Sequence, residues 1–224
     1  MTPKAVFFDM DGVLYNSMPY HAQSWATAFE QIGIKYPHSA SYENEGRTSD
    51  GTIKLAYRNY LKREASPEEI TAVADIKTRL MGNCPTPEIL DGMQLLINHL
   101  QHEAIKVMVV TGAKQPSLLS RLKNDFNIEP ENIVSGHDVK HEKPNPEPYL
   151  IALQKAGVEV NEAIVVENAP LGVQSAKSAG IITIAVNTGI LSDQILINAG
   201  ADIVISNTRK LEQRWDAITD LILA

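Results

Sequence analysis

The octapeptide Ala5-Val6-Phe7-Phe8-Asp9-Met10-Asp11-Gly12 identifies the fold class of this chain. Its first four residues are apolar throughout, as in a strand that is buried on both faces of a parallel sheet. Asp9 and Asp11 then end the apolar run far short of a secretion signal or a membrane span. Because the loop after a parallel strand emerges at the carboxyl edge of the sheet, where such folds bind ligands, both carboxylates are expected at that edge.

Further apolar runs outside this octapeptide predict the rest of the sheet. They cover residues 106–110, 163–166 and 181–186, and a weaker run follows at residues 202–205. Helical patterns lie between and after them, at residues 117–126, 147–156 and 171–179, and Gly180 is a typical helix-ending residue. This alternation predicts an α/β fold with a doubly wound parallel sheet.

A helical subdomain is predicted between the first two strands, because about ninety residues separate them and a simple crossover needs only about a dozen. Apolar residues recur at helical spacing within residues 18–32 and 53–60, and Ser66-Pro67-Glu68-Glu69 resembles a capping box that opens a further helix to about Leu80. We predict a cap at residues 15–87, hinged at residues 14–17 and 84–87, and a core domain made of residues 1–14 and 88–224.

Charge and composition exclude several classes of function. The 224 residues include 20 Lys and Arg against 27 Asp and Glu, a net charge of −7, and hydrophobic residues make up 44% of the chain. A chain of this composition is expected to fold. Because it has no basic tract, it lacks the positively charged surface that is typical of proteins that bind nucleic acid or an anionic membrane. We expect neither of these partners, and we expect the protein to be a monomer.

Cysteine and histidine usage indicates the compartment. Cys84 is the single cysteine and cannot form an internal disulfide. His137 and His141 stand four residues apart, but Pro144 and Pro146 follow closely, so both histidines are interpreted as loop residues rather than zinc ligands. A reducing, cytoplasmic location is predicted.

Asp9 and Asp11 are the first candidates for chemistry. By themselves they could be turn-forming aspartates, since Asx turns and helix caps use Asp freely. The alternative is a division of labour in which one carboxylate attacks phosphorus while the other handles protons. Two acids two residues apart on an irregular loop satisfy that requirement.

Polar residues also stand at three other predicted loop positions. Thr111 and Gly112 end the second strand and are either a helix cap or a phosphate cradle. Lys143 is either a solvated lysine or, held near the sheet edge by the prolines that follow it, a group that neutralises a phosphoryl oxygen. Glu167 and Asn168 follow the run at residues 163–166 and are either a cap pair or part of an oxygen-rich Mg²⁺ site.

Taken together, these positions resemble the four sequence motifs of the haloacid dehalogenase (HAD) superfamily. Residues 8–12, Thr111, Lys143 and Glu167-Asn168 match motifs one to four. The inserted helices are similar to the cap of the β-phosphoglucomutase-like subgroup, and the resemblance covers nearly the whole chain. It implies a Rossmann-like core, Asp9 as nucleophile, Asp11 as general acid/base, Thr111 and Lys143 as phosphate binders, and Mg²⁺ as cofactor near Asp9, Asp11, Glu167 and Asn168.

The fourth motif departs from this subgroup. Its members usually carry Glu-Asp, whereas Asn168 is neutral, so the metal site loses one negative charge. Glu45, at the place of the substrate-specificity loop of such caps, is the candidate that compensates for this loss. The alternative is a solvated loop glutamate. If Glu45 reaches the metal, cap closure and metal binding become one event.

A second departure concerns the substrate. Related mutases resemble this chain at His21 and Lys77, but they carry an Arg three residues after the loop glycine, where this chain has Ser49. Here Arg47 follows Gly46 directly. An acid and an arginine directed at the metal suit a small, highly charged substrate better than a sugar phosphate.

Residues 10–21, 45–48 and 167–173 look most like the Bacteroides-type HAD inorganic pyrophosphatases, and this likeness carries most of the substrate prediction. We therefore expect a Mg²⁺-dependent phosphohydrolase that acts through an aspartyl-phosphate, on pyrophosphate first and on another small phosphate ester second. The candidate substrate contacts are Gly112, Ala113, His21, Arg47, Lys77 and Lys114. The rival hypotheses are a β-phosphoglucomutase, a dehalogenase that shares the nucleophile, and a non-catalytic sensor of a phosphorylated ligand, which the neutral Asn168 makes conceivable.

Overall fold

A single parallel sheet forms the core of the protein. The computed structural model describes residues 2–114 and 116–223. Its strands are β1 (Ala5–Phe8), β2 (Lys106–Val110), β3 (Ile133–Val134), β4 (Ala163–Glu167), β5 (Ile182–Val186) and β6 (Ile203–Ile205), in the order β3-β2-β1-β4-β5-β6. The predicted doubly wound parallel sheet is confirmed. The sequence did not predict β3, because two residues are too few to show a periodicity.

The strand β1 lies at the centre of this sheet, paired on both sides. Phe8 is opposite Val109 on one neighbour and Val166 on the other, and the amide of Asp9 still donates to the carbonyl of Val166 at 3.0 Å. All four residues of β1 are buried because the sheet is covered on both faces. This register places the end of β1 between the ends of β2 and β4.

Helices cover the two faces of the sheet. They are α5 (Met93–His102), α6 (Pro116–Phe126), α7 (Glu147–Ala156), α8 (Pro170–Ser178), α9 (Asp193–Asn198), α10 (Thr208–Gln213) and α11 (Trp215–Ile222). One apolar cluster joins β1 to α5, α6, α10 and α11, and a second joins its other face to α7 and α8. The helices predicted at residues 117–126, 147–156 and 171–179 are therefore present, with bounds within one residue.

Four further α-helices form the cap between β1 and β2. They are α1 (Met18–Glu30), α2 (His38–Glu43), α3 (Ser49–Ala56) and α4 (Pro67–Gly82), and a π-helical turn, Tyr57–Leu61, follows α3. Their apolar residues, Trp25 and Phe29 among them, form a separate buried cluster. The capping box at the start of α4 is present, since the side chains of Ser66 and Glu69 each accept the other's backbone amide. The short helix α2 was not predicted.

Two crossings connect the cap to the core. The amide of Asn16 donates to the carbonyl of Glu88, and the amide of Leu90 donates to the carbonyl of Leu14, both at 2.9 Å. The outgoing and returning segments thus lie side by side next to the end of β1. Within the described residues, 2–114 and 116–223, no helix has the length and apolar character that a membrane crossing requires.

Candidate active site

A buried lysine joins two carboxylates at the carboxyl edge of the sheet. The Nζ atom of Lys143 lies 2.6 Å from Oδ1 of Asp9 and 2.6 Å from Oε1 of Glu167, and it also donates to the carbonyl of Val110 at 3.1 Å. Asp9 follows β1, Glu167 ends β4, and Lys143 comes from the loop before α7. Three stretches that are distant in sequence therefore meet at one point, because parallel strands end at the same edge.

The carboxylate of Glu167 is fully engaged by protein donors. Its Oε1 atom accepts from Lys143 and from the hydroxyl of Tyr149 at 2.8 Å, while Oε2 accepts from the amides of Asn168 and Ala169 at 3.0 and 3.2 Å. Because each oxygen of Glu167 already accepts two hydrogen bonds, this geometry disfavours the expected role of Glu167 as a metal ligand. It supports a role in orienting Lys143. The sequence did not indicate a functional role for Tyr149, because a buried aromatic side chain on α7 is typical of an ordinary hydrophobic core.

Asp11 is held by a different set of partners, on the cap side. Its Oδ1 atom accepts from Ser17 Oγ at 2.6 Å and lies 3.4 Å from Nε2 of His21, while Nδ1 of His21 lies 3.3 Å from Nζ of Lys77. An ammonium group only donates hydrogen bonds, so Nδ1 of His21 accepts and Nε2 carries the hydrogen that faces Asp11. Lys77, predicted as a substrate contact, thereby orients the histidine.

The two aspartates have opposite pKa shifts. Burial raises the pKa of Asp9, and although Lys143 lowers it, Glu167 and Asp11 raise it further, to about 7. Burial also acts to raise the pKa of Asp11, but the interactions with His21, Ser17 and Lys77 outweigh burial and lower it to about 2. Without a bound cation, Asp9 therefore retains a proton in a pH range in which Asp11 is ionised.

Glu45 of the cap reaches the core through Asn168. The Nδ2 atom of Asn168 donates to both carboxylate oxygens of Glu45, at 3.1 and 3.0 Å. Burial raises the pKa of Glu45 well above its usual value, and the charges of Asp9 and Glu167 raise it further. Gly12 allows this contact, since its φ is +76° and the Asn168 amide occupies the position that a Cβ atom would take.

Among residues 2–114 and 116–223, no group of three or more His, Cys, Asp and Glu side chains is arranged to hold a metal ion by itself. A cation at this edge therefore requires another type of donor. The Oδ1 atom of Asn168 is buried and has no hydrogen-bond partner, although buried polar atoms nearly always have one. With Asp9 and Glu45 nearby, it would complete a donor set of oxygen atoms only, a set that fits Mg²⁺.

A cavity of about 620 Å³ separates the cap from the core. It is lined by all of the predicted substrate contacts, namely Gly112, Ala113, His21, Arg47, Lys77 and Lys114, together with Asp9, Asp11, Glu45 and Thr111. The Oγ1 atom of Thr111 accepts from the amide of Ala113 at 3.0 Å, so the threonine closes the turn after β2. The structure thus brings together the nucleophile candidate and the predicted phosphate loop.

Arg47 lines the cavity and is held by two neighbouring side chains. Its Nε atom donates to Oδ1 of Asn44 at 3.2 Å, and Nη1 lies 3.8 Å from Oε1 of Glu142. The contact of Arg47 with the substrate stays a prediction. A second arginine, Arg121 on α6, also lines the cavity, and its Nη2 atom donates to Oδ2 of Asp125 at 2.9 Å. The sequence did not indicate this position. A charge on an amphipathic helix gives no sequence signal for such a position.

Comparison with known proteins gives consistent results. Residues 6–186 match the family model for haloacid dehalogenase-like hydrolases. The chain is 28% identical to the validoxylamine A 7'-phosphate phosphatase of Streptomyces hygroscopicus subsp. limoneus, over 96% of this chain and 98% of that protein. It is also 28% identical to the beta-phosphoglucomutase of Bacillus subtilis, over 93% and 91%. A solved structure described as a "putative beta-phosphoglucomutase" from Bacteroides vulgatus superposes with a TM-score of 0.93 at 42% identity, covering 98% of this chain and 90% of that one.

Proposed function

The chain belongs to the haloacid dehalogenase-like hydrolases, and we propose that it is a Mg²⁺-dependent phosphohydrolase that uses Asp9 as its nucleophile and acts on inorganic pyrophosphate. The assignment to a hydrolase rests on the family. The reaction proposed here rests on one observation. Lys143 bridges Asp9 and Glu167, whereas the neighbouring Asp11 is held by a separate set of partners. This arrangement gives two neighbouring carboxylates different tasks.

The metal would be held by oxygen atoms of Asp9, Asn168 and Glu45, with Asp11 beside them. When bound, Mg²⁺ supplies positive charge that offsets the negative charge on the transferring phosphoryl group and on the surrounding carboxylates. The raised pKa values of Asp9 and Glu45 support this assignment, since nearby negative charge contributes to both shifts. A cation at this position favours the ionised form of Asp9 that nucleophilic attack requires.

In the first half of the reaction, a carboxylate oxygen of Asp9 forms a bond to phosphorus while the bond from phosphorus to the leaving oxygen breaks. Lys143 keeps Asp9 fixed and supplies positive charge beside the attacking oxygen, and Glu167 and Tyr149 keep Lys143 in place. Thr111 and the amides of its loop offer donors for the phosphoryl oxygens. The product of this step is an aspartyl-phosphate on Asp9.

In the second half, Asp11 accepts a proton from the water molecule that attacks phosphorus, and Asp9 is released as the carboxylate. A pKa of about 2 keeps Asp11 ionised and ready for this task. The same low pKa leaves almost no protonated Asp11 at neutral pH that could donate to an alkoxide leaving group. Phosphate is a much less basic leaving group than an alkoxide, so the state of Asp11 supports pyrophosphate as substrate.

The position of Glu45 also supports a small substrate. Its contact with Asn168 closes the cap directly over the end of β1, so the space next to Asp9 is bounded by the cap loop itself. Cationic side chains of the cap and core, Arg47 and Lys114 among them, line the same cavity, as a substrate with several negative charges requires.

The cellular location that we propose is the reducing cytoplasm, because the single cysteine of the chain, Cys84, cannot form an internal disulfide.

A phosphorylated sugar is the second candidate, and the cavity volume favours it. About 620 Å³ exceeds what two phosphate groups fill, and the cavity includes apolar groups such as Trp25 and Met81. A phosphomutase would use the same nucleophile but would return an isomer of the sugar phosphate. The proteins compared above include a phosphatase and mutases of this kind, so both reactions belong in the test.

The test is a phosphate-release assay over pyrophosphate, hexose phosphates and nucleotides, with Mg²⁺ or with a chelator. We expect pyrophosphate to give the highest kcat/KM and the chelator to abolish turnover. An Asp9→Asn variant should release no phosphate, and an exposed carboxylate variant, Glu43→Ala, should behave as the wild type. Formation of glucose 6-phosphate from β-glucose 1-phosphate without free phosphate would identify a mutase. A wild type that binds these compounds without turning any of them over would identify a sensor.

A further inference from the structure

Three close contacts join the cap loop, defined here as residues 45–48, to the core, in addition to the longer ion pair between Arg47 and Glu142. Glu45 accepts from Asn168, and the backbone of Gly46 packs on the stem of Lys143, where a Cβ atom would lie 3.1 Å from Cδ of the lysine. The third contact is not used in the reaction proposed above. The amide of Thr48 donates to Oε2 of Glu142 at 2.6 Å. Glu142 belongs to the core loop and directly precedes Lys143.

The carboxylate of Glu142 lies at the N-terminus of the eight-residue helix α3. Thr48 is the N-cap residue of this helix, and its own Oγ1 atom accepts from the amide of Gly51 at 3.1 Å. The side chain of the N-cap therefore satisfies one amide of the first turn, and Glu142 satisfies the amide of the N-cap itself. A negative charge at this end of a helix is favoured by the helix dipole, and the bond is charge-assisted.

Gly51 explains how the carboxylate fits. A Cβ atom at residue 51 would collide with the carboxylate group of Glu142. Glycine within a helix costs about 1 kcal/mol relative to alanine, so its presence in α3 calls for a compensating contact. The Glu142 carboxylate, seated against the first turn, provides that contact. Arg47, whose Nη1 atom lies 3.8 Å from Oε1, places a positive charge on the same carboxylate.

We propose that Glu142 is a positioning residue. Its hydrogen bond with the amide of Thr48, called the clasp below, holds the cap loop against the core and thereby keeps Glu45 and Lys143 in place beside the phosphoryl site. Glu142 does not touch the substrate in this role. The catalytic role of Glu142 rests on the proposed function. The hydrogen bond between Thr48 and Glu142, however, joins the cap to the core and can be tested without measuring turnover. Loss of the clasp frees the loop to lift from Lys143 and from Asn168 together.

The first test is hydrogen exchange of the 224-residue chain in the absence of metal. In Glu142→Ala, amides of residues 45–52 should exchange about tenfold faster or more, because a charge-assisted hydrogen bond is lost. Peptides from β1, β4 and α7 should keep the wild-type rates. Glu142→Gln, which retains an acceptor without the charge, should lie in between, and Glu43→Ala is the matched control with an exposed carboxylate on α2. Unchanged exchange of residues 45–52 in Glu142→Ala would overturn the proposal.

A second variant separates the clasp from a general effect on helix stability. Gly51→Ala raises the helix propensity of α3, so a purely local effect would slow exchange there. The clasp predicts the opposite, faster exchange of residues 45–48, because the new Cβ atom displaces the Glu142 carboxylate. In the Glu142→Ala background the same change should no longer speed exchange. Slower exchange in Gly51→Ala alone would contradict the clasp.

Kinetics then connect the clasp to the reaction. In Glu142→Ala we expect the Mg²⁺ concentration for half-maximal rate and the KM to rise several-fold while kcat changes less, since the chemical groups remain. The effect should be much smaller in a Glu45→Ala background, because both residues act on the same loop. If no substrate is turned over at all, the exchange results still decide whether the clasp exists, so its failure and that of the proposed function remain distinguishable.

Discussion

The side-chain amide of Asn168 donates to both oxygens of Glu45, which lies 123 residues earlier in the chain and in the cap rather than the core. An aspartate at residue 168 would instead repel this glutamate. The neutral residue in the fourth motif and the acidic residue in the cap loop are therefore complementary. Glu45 therefore supplies, from the cap, the acidic side chain that the fourth motif lacks at residue 168.

Glu45→Ala should raise the Mg²⁺ concentration needed for half-maximal rate by about tenfold, because the site loses a charged oxygen donor. The measurement is a Mg²⁺ titration of the initial rate, repeated by calorimetry on the metal-free protein. Glu43→Ala, two residues away and exposed, should leave the titration unchanged. A Glu45→Ala variant with the wild-type metal dependence would remove Glu45 from the metal site.

Asn168→Asp should lower the thermal stability of the metal-free protein and increase the stabilisation produced by Mg²⁺. The new carboxylate faces Glu45 and Asp9, and this repulsion is relieved when a cation binds. The measurement is the Tm with chelator and with excess Mg²⁺. Asn198→Asp, on the exposed end of α9, is the control and should show no Mg²⁺-dependent change. Equal Mg²⁺-induced shifts in wild type and Asn168→Asp would contradict the proposed donor set.

The stability of the metal-free protein should fall as pH rises from about 4 to about 7 through the contribution of Asp9. The pKa of this carboxyl is 3.8 in an ordinary environment and about 7 in the folded protein, so folding takes up a proton in this window and stability decreases with pH. Asp9→Asn removes that contribution. Its stability relative to the wild type should increase across the window, reaching about 2 kcal/mol or more by pH 8.

Urea unfolding at several pH values in the presence of chelator measures this difference. Excess Mg²⁺ should reverse it, since a cation near Asp9 stabilises the wild-type carboxylate. A stability difference between Asp9→Asn and wild type that does not vary between pH 4 and 8 would show that Asp9 has an ordinary pKa.

Lys143→Met should destabilise the metal-free protein by about 3–5 kcal/mol, because it leaves Asp9 and Glu167 buried without their shared cation. Activity should fall by about 10²–10³, a loss typical of removing a charge-stabilising donor. The double variant Lys143→Met with Glu167→Gln should recover part of the stability and none of the activity. Full recovery of activity in the double variant would show that Lys143 only compensates for Glu167.

The sequence predicted the sheet because the relevant information is local. A run of four apolar residues ended by acidic residues, such as residues 5–11, identifies both a buried strand and the edge at which its loop emerges. The strand ends carry Asp9, Thr111 and Glu167, so their proximity follows from the topology of a parallel sheet. The capping box at Ser66 could also be predicted from the sequence, since its residues interact within the first turn of one helix.

The sequence did not predict which groups each side chain engages. Tyr149 is a core aromatic in pattern, and only the packing of α7 against β4 directs its hydroxyl to Glu167. Glu167 itself was expected at the metal, but the amides that follow it and the hydroxyl of Tyr149 engage its oxygens. Arg47 lines the cavity, but the sequence did not show that Asn44 and Glu142 are its partners.

The amino-acid sequence alone thus predicted every strand of the sheet except β3, the insertion of the cap, and the acidic, hydroxyl and basic groups that meet at one edge of the sheet. Only the tertiary structure decided the docking of the cap, and with it the pairs Glu45 with Asn168 and Thr48 with Glu142. The reason is physical. Strand and helix formation depends on periodic patterns within a few residues, whereas hydrogen bonds between distant loops depend on how two separately folded units fit together.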